Sequence, residues 1–172
     1  AAFIADSSTL ANLERYRQIQ RKLMDPRLQS AGELERLLNE GKNVILITSS
    51  IHSTEVGGFL TPLVLADRLA RGDTPEARLI LANTIIMLVP SQNPDGVDIV
   101  GDWYRSTLGT PAEGSGPPML YHHYTGHDNN RDWYAFTQVE TQYTVDSLYT
   151  PWDPQINNDI HQQGSNAGRI FV

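Results

Sequence analysis

Asn43-Val44-Ile45-Leu46-Ile47-Thr48-Ser49 decides the architecture of this chain. Four consecutive apolar residues, bounded by Gly41-Lys42 before and by Thr48-Ser49-Ser50 after, fit a strand covered on both faces. Residues 83–90 repeat the signature around Ile85-Ile86-Met87-Leu88-Val89, and the stretch between the two reads as a helix over Val56–Arg71. Strand, helix and strand in alternation indicate an α/β fold: a mixed, mostly parallel sheet with helices on both faces.

Working outward, Ala1–Ala5 is strand-like, and Leu10–Met24 places Leu13, Tyr16, Ile19 and Leu23 on one helical face before Asp25-Pro26 ends it. Residues 30–40 follow suit with Leu34, Leu37 and Leu38, Ser30 as N-cap, Glu33 three residues on and Gly41 as the stop. In Val56–Arg71 the inner face is expected to be Leu60, Leu63, Val64 and Leu69, with Pro62 either kinking the helix or marking its true first turn. Gly72-Asp73-Thr74-Pro75 breaks the pattern. From Ser91 to Asn130 periodicity nearly vanishes, and a run of Gly and Pro suggests one long irregular region, of the kind that is usually functional in a compact domain. Thr137–Tyr149 reads as a further helix and Gln155–His161 as a short strand of poor intrinsic propensity.

Composition narrows the chemistry. The 172 residues suit a single domain with a substantial core. A formal charge of −7 argues against a nucleic-acid partner, whose phosphates bind basic surfaces. The absence of Cys removes disulfides, thiolate metal sites and a cysteine nucleophile together, leaving His and carboxylates as metal ligands. No stretch has the roughly 18–20 apolar residues of a membrane span. The chain opens without Met on a strand-like run and stops inside the apolar run Arg169-Ile170-Phe171-Val172, so residues 1–172 read as one incomplete domain. Oligomeric state is not legible, and an incomplete sheet would expose an apolar edge.

His52-Ser53-Thr54-Glu55 follows the first buried strand, and Asp159-Ile160-His161 ends the last. Two imidazoles and a carboxylate, one pair close and the third ligand distant, are what a catalytic zinc needs while one position stays open. Carboxyl ends of strands in open α/β sheets are where sites gather. The plain alternative is two ordinary half-buried histidines and a helix N-terminal acid favoured by the dipole. Asp128-Asn129-Asn130-Arg131 tips the balance, because a neutral histidine ligand needs an acceptor for its other ring N–H. His122, His123 and His127 are rival ligands on a Tyr-rich loop, where packing or rim contacts are the expectation.

Five blocks in order, His52-Ser-Thr-Glu55, Asn93-Pro94-Asp95-Gly96, Trp103-Tyr104-Arg105, Asp128-Asn129-Asn130-Arg131-Asp132-Trp133 and Asp159-Ile160-His161, resemble the carboxypeptidase A-like zinc metallopeptidases. The likeness runs from about Asn43 to the end and covers roughly the first half of that family's catalytic domain. It implies one zinc ion held by His52, Glu55 and His161. Arg105 would polarise the scissile carbonyl and stabilise the oxyanion, Asn130 and Arg131 would grip the C-terminal carboxylate of a peptide substrate, and Asp128 would fix the tautomer of His52. Asn93-Pro94-Asp95-Gly96 has the residue types of a β-turn that steers the chain toward Arg105.

The family's general-base glutamate and capping tyrosine have no matching position before Val172, and neither Glu113 nor Glu140 aligns with the first role. The expected protein therefore binds zinc but turns over weakly or not at all as this chain alone. A metallocarboxypeptidase is the leading function. A zinc-dependent N-acyl amino acid deacylase shares the ligand pattern, and a noncatalytic zinc- or peptide-binding fragment accounts for the missing base. Peptidases of this kind often work outside the cytoplasm, so an extracellular or periplasmic location is the association the resemblance carries.

Overall fold

A computed structural model describes residues 1–118 and 122–163; the terminal run 169–172 lies outside the described residues. Elements follow in the order β1 (Ala2–Ile4), α1 (Ser7–Leu10), α2 (Leu13–Met24), α3 (Ala31–Glu40), β2 (Asn43–Ser49), α4 (Val56–Arg71), α5 (Pro75–Asn83), β3 (Thr84–Val89), α6 (Pro94–Thr107), α7 (Val139–Thr144), α8 (Thr150–Trp152) and β4 (Ile156–Ile160). The four strands form one sheet ordered β1-β3-β2-β4, with β2 parallel to both neighbours and β1 antiparallel to β3. This is the mixed, mostly parallel sheet that the apolar runs indicated.

Side chains of a strand alternate between faces, and β2 shows the consequence. Val44 and Leu46 join Ile85, Met87, Leu148 and Trp152 in a cluster over which Leu13 and Tyr16 of α2 also pack. Ile45 and Ile47 point the other way, into a cluster with Ile86, Leu88, Ala77 and Leu69 beneath α4 and α5. Helices therefore cover both faces. The outer strand β4 carries Asn157, Asn158 and an exposed Ile156, as befits an edge position with little apolar cover.

Several local expectations need correction. Residues 91–130 are not irregular throughout, because α6 occupies 14 of them. Asn93-Pro94-Asp95-Gly96 is its first turn: the Asn93 side chain accepts from the Gly96 N–H at 2.8 Å, and Pro94 takes the early helical position where its missing N–H costs nothing. The same logic builds α5, where Thr74 caps the Ala77 N–H and Pro75 opens the helix. Pro62 sits inside α4, which starts at Val56, so it does not mark a first turn. Of the expected inner face of α4, Leu69 alone is buried. Leu60, Leu63 and Val64 are about half exposed, whereas Gly58, Pro62, Leu65, Ala66 and Leu69 turn toward the sheet. Small residues at 58 and 66 let the helix approach closely, and burial follows that contact rather than the larger side chains.

The packing assigns different costs to two leucines of similar sequence context. Leu46→Ala, at a site with no exposure, is expected to lose about 3 kcal/mol in denaturant unfolding, and Leu63→Ala less than about 1 kcal/mol.

Candidate metal centre

Three strand ends meet on one side of the sheet. Past β2, the loop carrying His52 is pinned to the chain leaving β3. Ser49 Oγ donates to the carbonyls of Val89 and Pro90 at 3.0 Å, the Gln92 N–H donates to the Ser49 carbonyl, and Ser53 Oγ donates to the Asn93 carbonyl at 3.1 Å. Gly96 is required by this contact, since a Cβ there would stand 2.5 Å from both Ser53 Oγ and Asn93 Nδ2. The loop at 128–131 docks on the same corner through buried Asn129, whose amide donates to the Gln92 carbonyl at 3.0 Å. Strand β4 delivers His161 immediately beyond its last residue.

His52, Glu55 and His161 are brought together, each offering a ligand atom within 4.8 Å of the others. Glu55 stands at the N-cap of α4, yet its carboxylate does not cap the helix. One oxygen lies 3.0 Å from His52 Nδ1 and the other 3.2 Å from His161 Nδ1. The second oxygen is also held by the Gln162 N–H at 2.7 Å. The far nitrogens face acids as well: His52 Nε2 is 3.2 Å from Asp128 Oδ2, and His161 Nε2 is 3.0 Å from Asp159 Oδ2.

This donor set fits a cation. A neutral imidazole has one N–H, so when Nε2 donates outward to its aspartate, the Nδ1 lone pair confronts a carboxylate oxygen of Glu55. Both rings meet the same carboxylate in the same sense. A divalent ion between them would convert two repulsions into three bonds, and histidine nitrogen with carboxylate oxygen is a donor set zinc accepts.

The other expected residues are placed less directly. Asp128 caps the short turn Asn129–Arg131 through the Asn130 N–H at 2.8 Å while its second oxygen reaches His52. Asn130 and Arg131 follow Asp128 on this turn, and the Arg131 guanidinium donates at 3.2 Å to the Asn130 carbonyl. Arg105 lies in the last turn of α6, highly exposed and paired with Asp102 at 2.7 Å. It lines a groove of about 950 Å³ whose wall includes Ser53, Thr54, Val56, Phe59 and Trp103, and so shares that groove with the loop between His52 and Glu55.

None of the rival histidines joins the group. His122 is buried and stacks on Tyr124 at 5.0 Å, the His123 N–H donates to Asp95, and His127 Nε2 lies 3.7 Å from Asp132. Glu113 and Glu140 are engaged elsewhere, with the Gly109 N–H and the Tyr124 hydroxyl.

Asp132 is the residue the motif reading left without a task. Fully buried, it accepts from the Thr137 hydroxyl and from the N–H groups of Thr137 and Gln138, the last at 2.9 Å. Burial pushes its pKa up, but the Thr137 and Thr141 hydroxyls with the two backbone donors outweigh that and hold it at about 2. It ties the loop bearing Asn129, Asn130 and Arg131 to the segment entering α7. A carboxyl depressed in the folded state stabilises fully above its unfolded pKa, and that contribution fades as pH falls toward the folded value. Asp132→Asn should therefore lower the urea midpoint at neutral pH by the equivalent of roughly 2 kcal/mol, with the gap to the parent closing from about pH 4 down to about pH 2. A gap independent of pH would refute the ionic character of this tie.

No curated protein sequence matches the chain. Its residues 21–162, however, match a family model described as zinc carboxypeptidase, an interval that contains the clustered His52, Glu55 and His161 and every strand except β1. With that match spanning most of its 172 residues, the chain belongs to the zinc carboxypeptidase family.

Proposed function

We propose that the protein is a zinc-dependent metallopeptidase acting as a carboxypeptidase. The observation that carries the reading is the convergence of His52, Glu55 and His161 at the carboxyl edge of the sheet in a chain of this family. When bound, zinc supplies Lewis-acid polarisation of a peptide carbonyl and acidification of a water molecule.

The chain's own residues supply the rest. His52 and His161 would hold the ion through Nδ1, since Nε2 of each ring is committed to an aspartate. Glu55 would complete the set, its second oxygen steadied by the Gln162 N–H. Asp128 keeps the His52 proton on Nε2 and so leaves Nδ1 with the lone pair that a metal needs.

Arg131 and Asn130 would bind the terminal carboxylate of the substrate, a planar guanidinium being able to meet both oxygens. Both stand on the turn that Asp128 begins, so the group that orients His52 and the groups that anchor the substrate move as one piece. Arg105 would present a permanent positive charge to the developing oxyanion after leaving Asp102; that pair is solvent-exposed and cheap to break.

Two measurements test this. The full-length protein should carry one zinc per chain at neutral pH, and His161→Ala should abolish it; metal content unchanged by the substitution would exclude the site. A peptide with a free C-terminus should be cleaved and its amidated copy should not, with Arg131→Ala lowering kcat/KM on the free acid about tenfold to a hundredfold. Equal rates on both peptides would eliminate the anchoring role, and release of an acyl group in place of a C-terminal residue would point to a deacylase.

A further inference from the structure

We infer that Asp159 is a positioning residue for the metal centre, which sets the tautomer and orientation of His161. The inference rests on the metallopeptidase reading of His52, Glu55 and His161.

The argument starts from strand geometry. Asp159 and His161 are two residues apart at the end of β4, and in extended chain that spacing puts both side chains on one face. Ile160 between them turns to the opposite face and packs with the cluster under α4. The aspartate thus stands beside the imidazole for a reason of register, and its Oδ2 meets Nε2 at 3.0 Å.

Its other oxygen is fixed from the neighbouring strand. Thr48 is the β2 residue paired with Asp159 in the parallel ladder, and its buried Oγ1 donates to Asp159 Oδ1 at 2.8 Å. Thr48 therefore locks the carboxylate, the carboxylate holds the Nε2 proton, and Nδ1 is left as a lone pair turned toward Glu55 at 3.2 Å. A solvated edge-strand acid would have no buried partner on its second oxygen. The result is a centre in which each histidine has its own aspartate: Asp128 from a loop for His52, and Asp159 from the sheet itself for His161.

His161 is the more exposed ligand, with about a third of its side chain open to solvent. An imidazole on a strand end with that freedom loses affinity through rotation unless something holds the ring, which is what an acceptor on the far nitrogen does.

The test is zinc affinity, measured by competition with a chromophoric chelator on metal-stripped full-length protein, alongside the unfolding midpoint of the metal-free form. Asp159→Ala should weaken zinc about tenfold to a hundredfold. Asp159→Asn, whose amide oxygen can still accept the Nε2 proton, should recover part of the loss. Thr48→Val should give a smaller loss in the same direction. In both Asp159 variants, the metal-free midpoint should move little, because Asp159 is a partly exposed group on an edge strand. Parental zinc affinity in Asp159→Ala, with His161→Ala devoid of zinc, would overturn the positioning role and leave the metal centre standing. Zinc retained in His161→Ala would remove the centre and the inference together. A loss confined to metal-free stability would make Asp159 a structural residue only.

Discussion

The parallel pairing of β2 with β3 along one edge and with β4 along the other is the constraint on which the rest of this molecule depends. Because the three strands run the same way, their carboxyl ends come out on one side of the sheet. The loop after β2, the turn after β3 and the residue after β4 are thereby neighbours, although His52 and His161 are far apart in the chain. An antiparallel β4 would have sent His161 to the opposite edge. The ladder pairs Thr48 with Asp159 for the same reason, so strand register and the contacts around His161 are set by one arrangement.

What accumulates at that edge is negative charge with a purpose. Glu55, Asp128 and Asp159 surround two imidazoles, and every ring nitrogen of His52 and His161 faces a carboxylate. Such a cluster is costly on its own, since like charges repel and lone pairs oppose one another. It is held in place by neutral scaffolding: Ser53 against Asn93, Asn129 against Gln92, Gln162 against Glu55. Asp132 extends the same principle one layer back, where a buried carboxylate satisfied by hydroxyls and backbone N–H groups fastens the loop bearing Asn129, Asn130 and Arg131.

Most of the sheet could be read along the chain, because β2 and β3 are continuous apolar runs and few other structures bury four or five such residues in succession. The clustering of His52, Glu55 and His161 was legible for a similar reason: they lie in or just after the segments that leave β2 and β4. Helices α5 and α6 were harder. Their signal lay in caps, Thr74 with Pro75 and Asn93 with Pro94, not in apolar periodicity, and a Pro-Asp-Gly sequence suits a β-turn as well as a first helical turn. On α4, Leu69 was read correctly and Leu60, Leu63 and Val64 were not, because two apolar stripes run along the helix and closeness of approach selected the one with the smaller residues.

By itself, then, the sequence determined the class of fold, the kind of donor available in a chain without Cys, and the identity of the residues capable of binding a metal, since these depend on composition and local pattern. Tertiary structure alone decided which nitrogen of each histidine faces Glu55, that Asp159 and Thr48 stand behind His161, and that Arg105 rests on Asp102 beside the groove. Those facts are relations between segments widely separated in sequence. No spacing within a single segment encodes them, because strand register and loop docking fix them only when the sheet has formed.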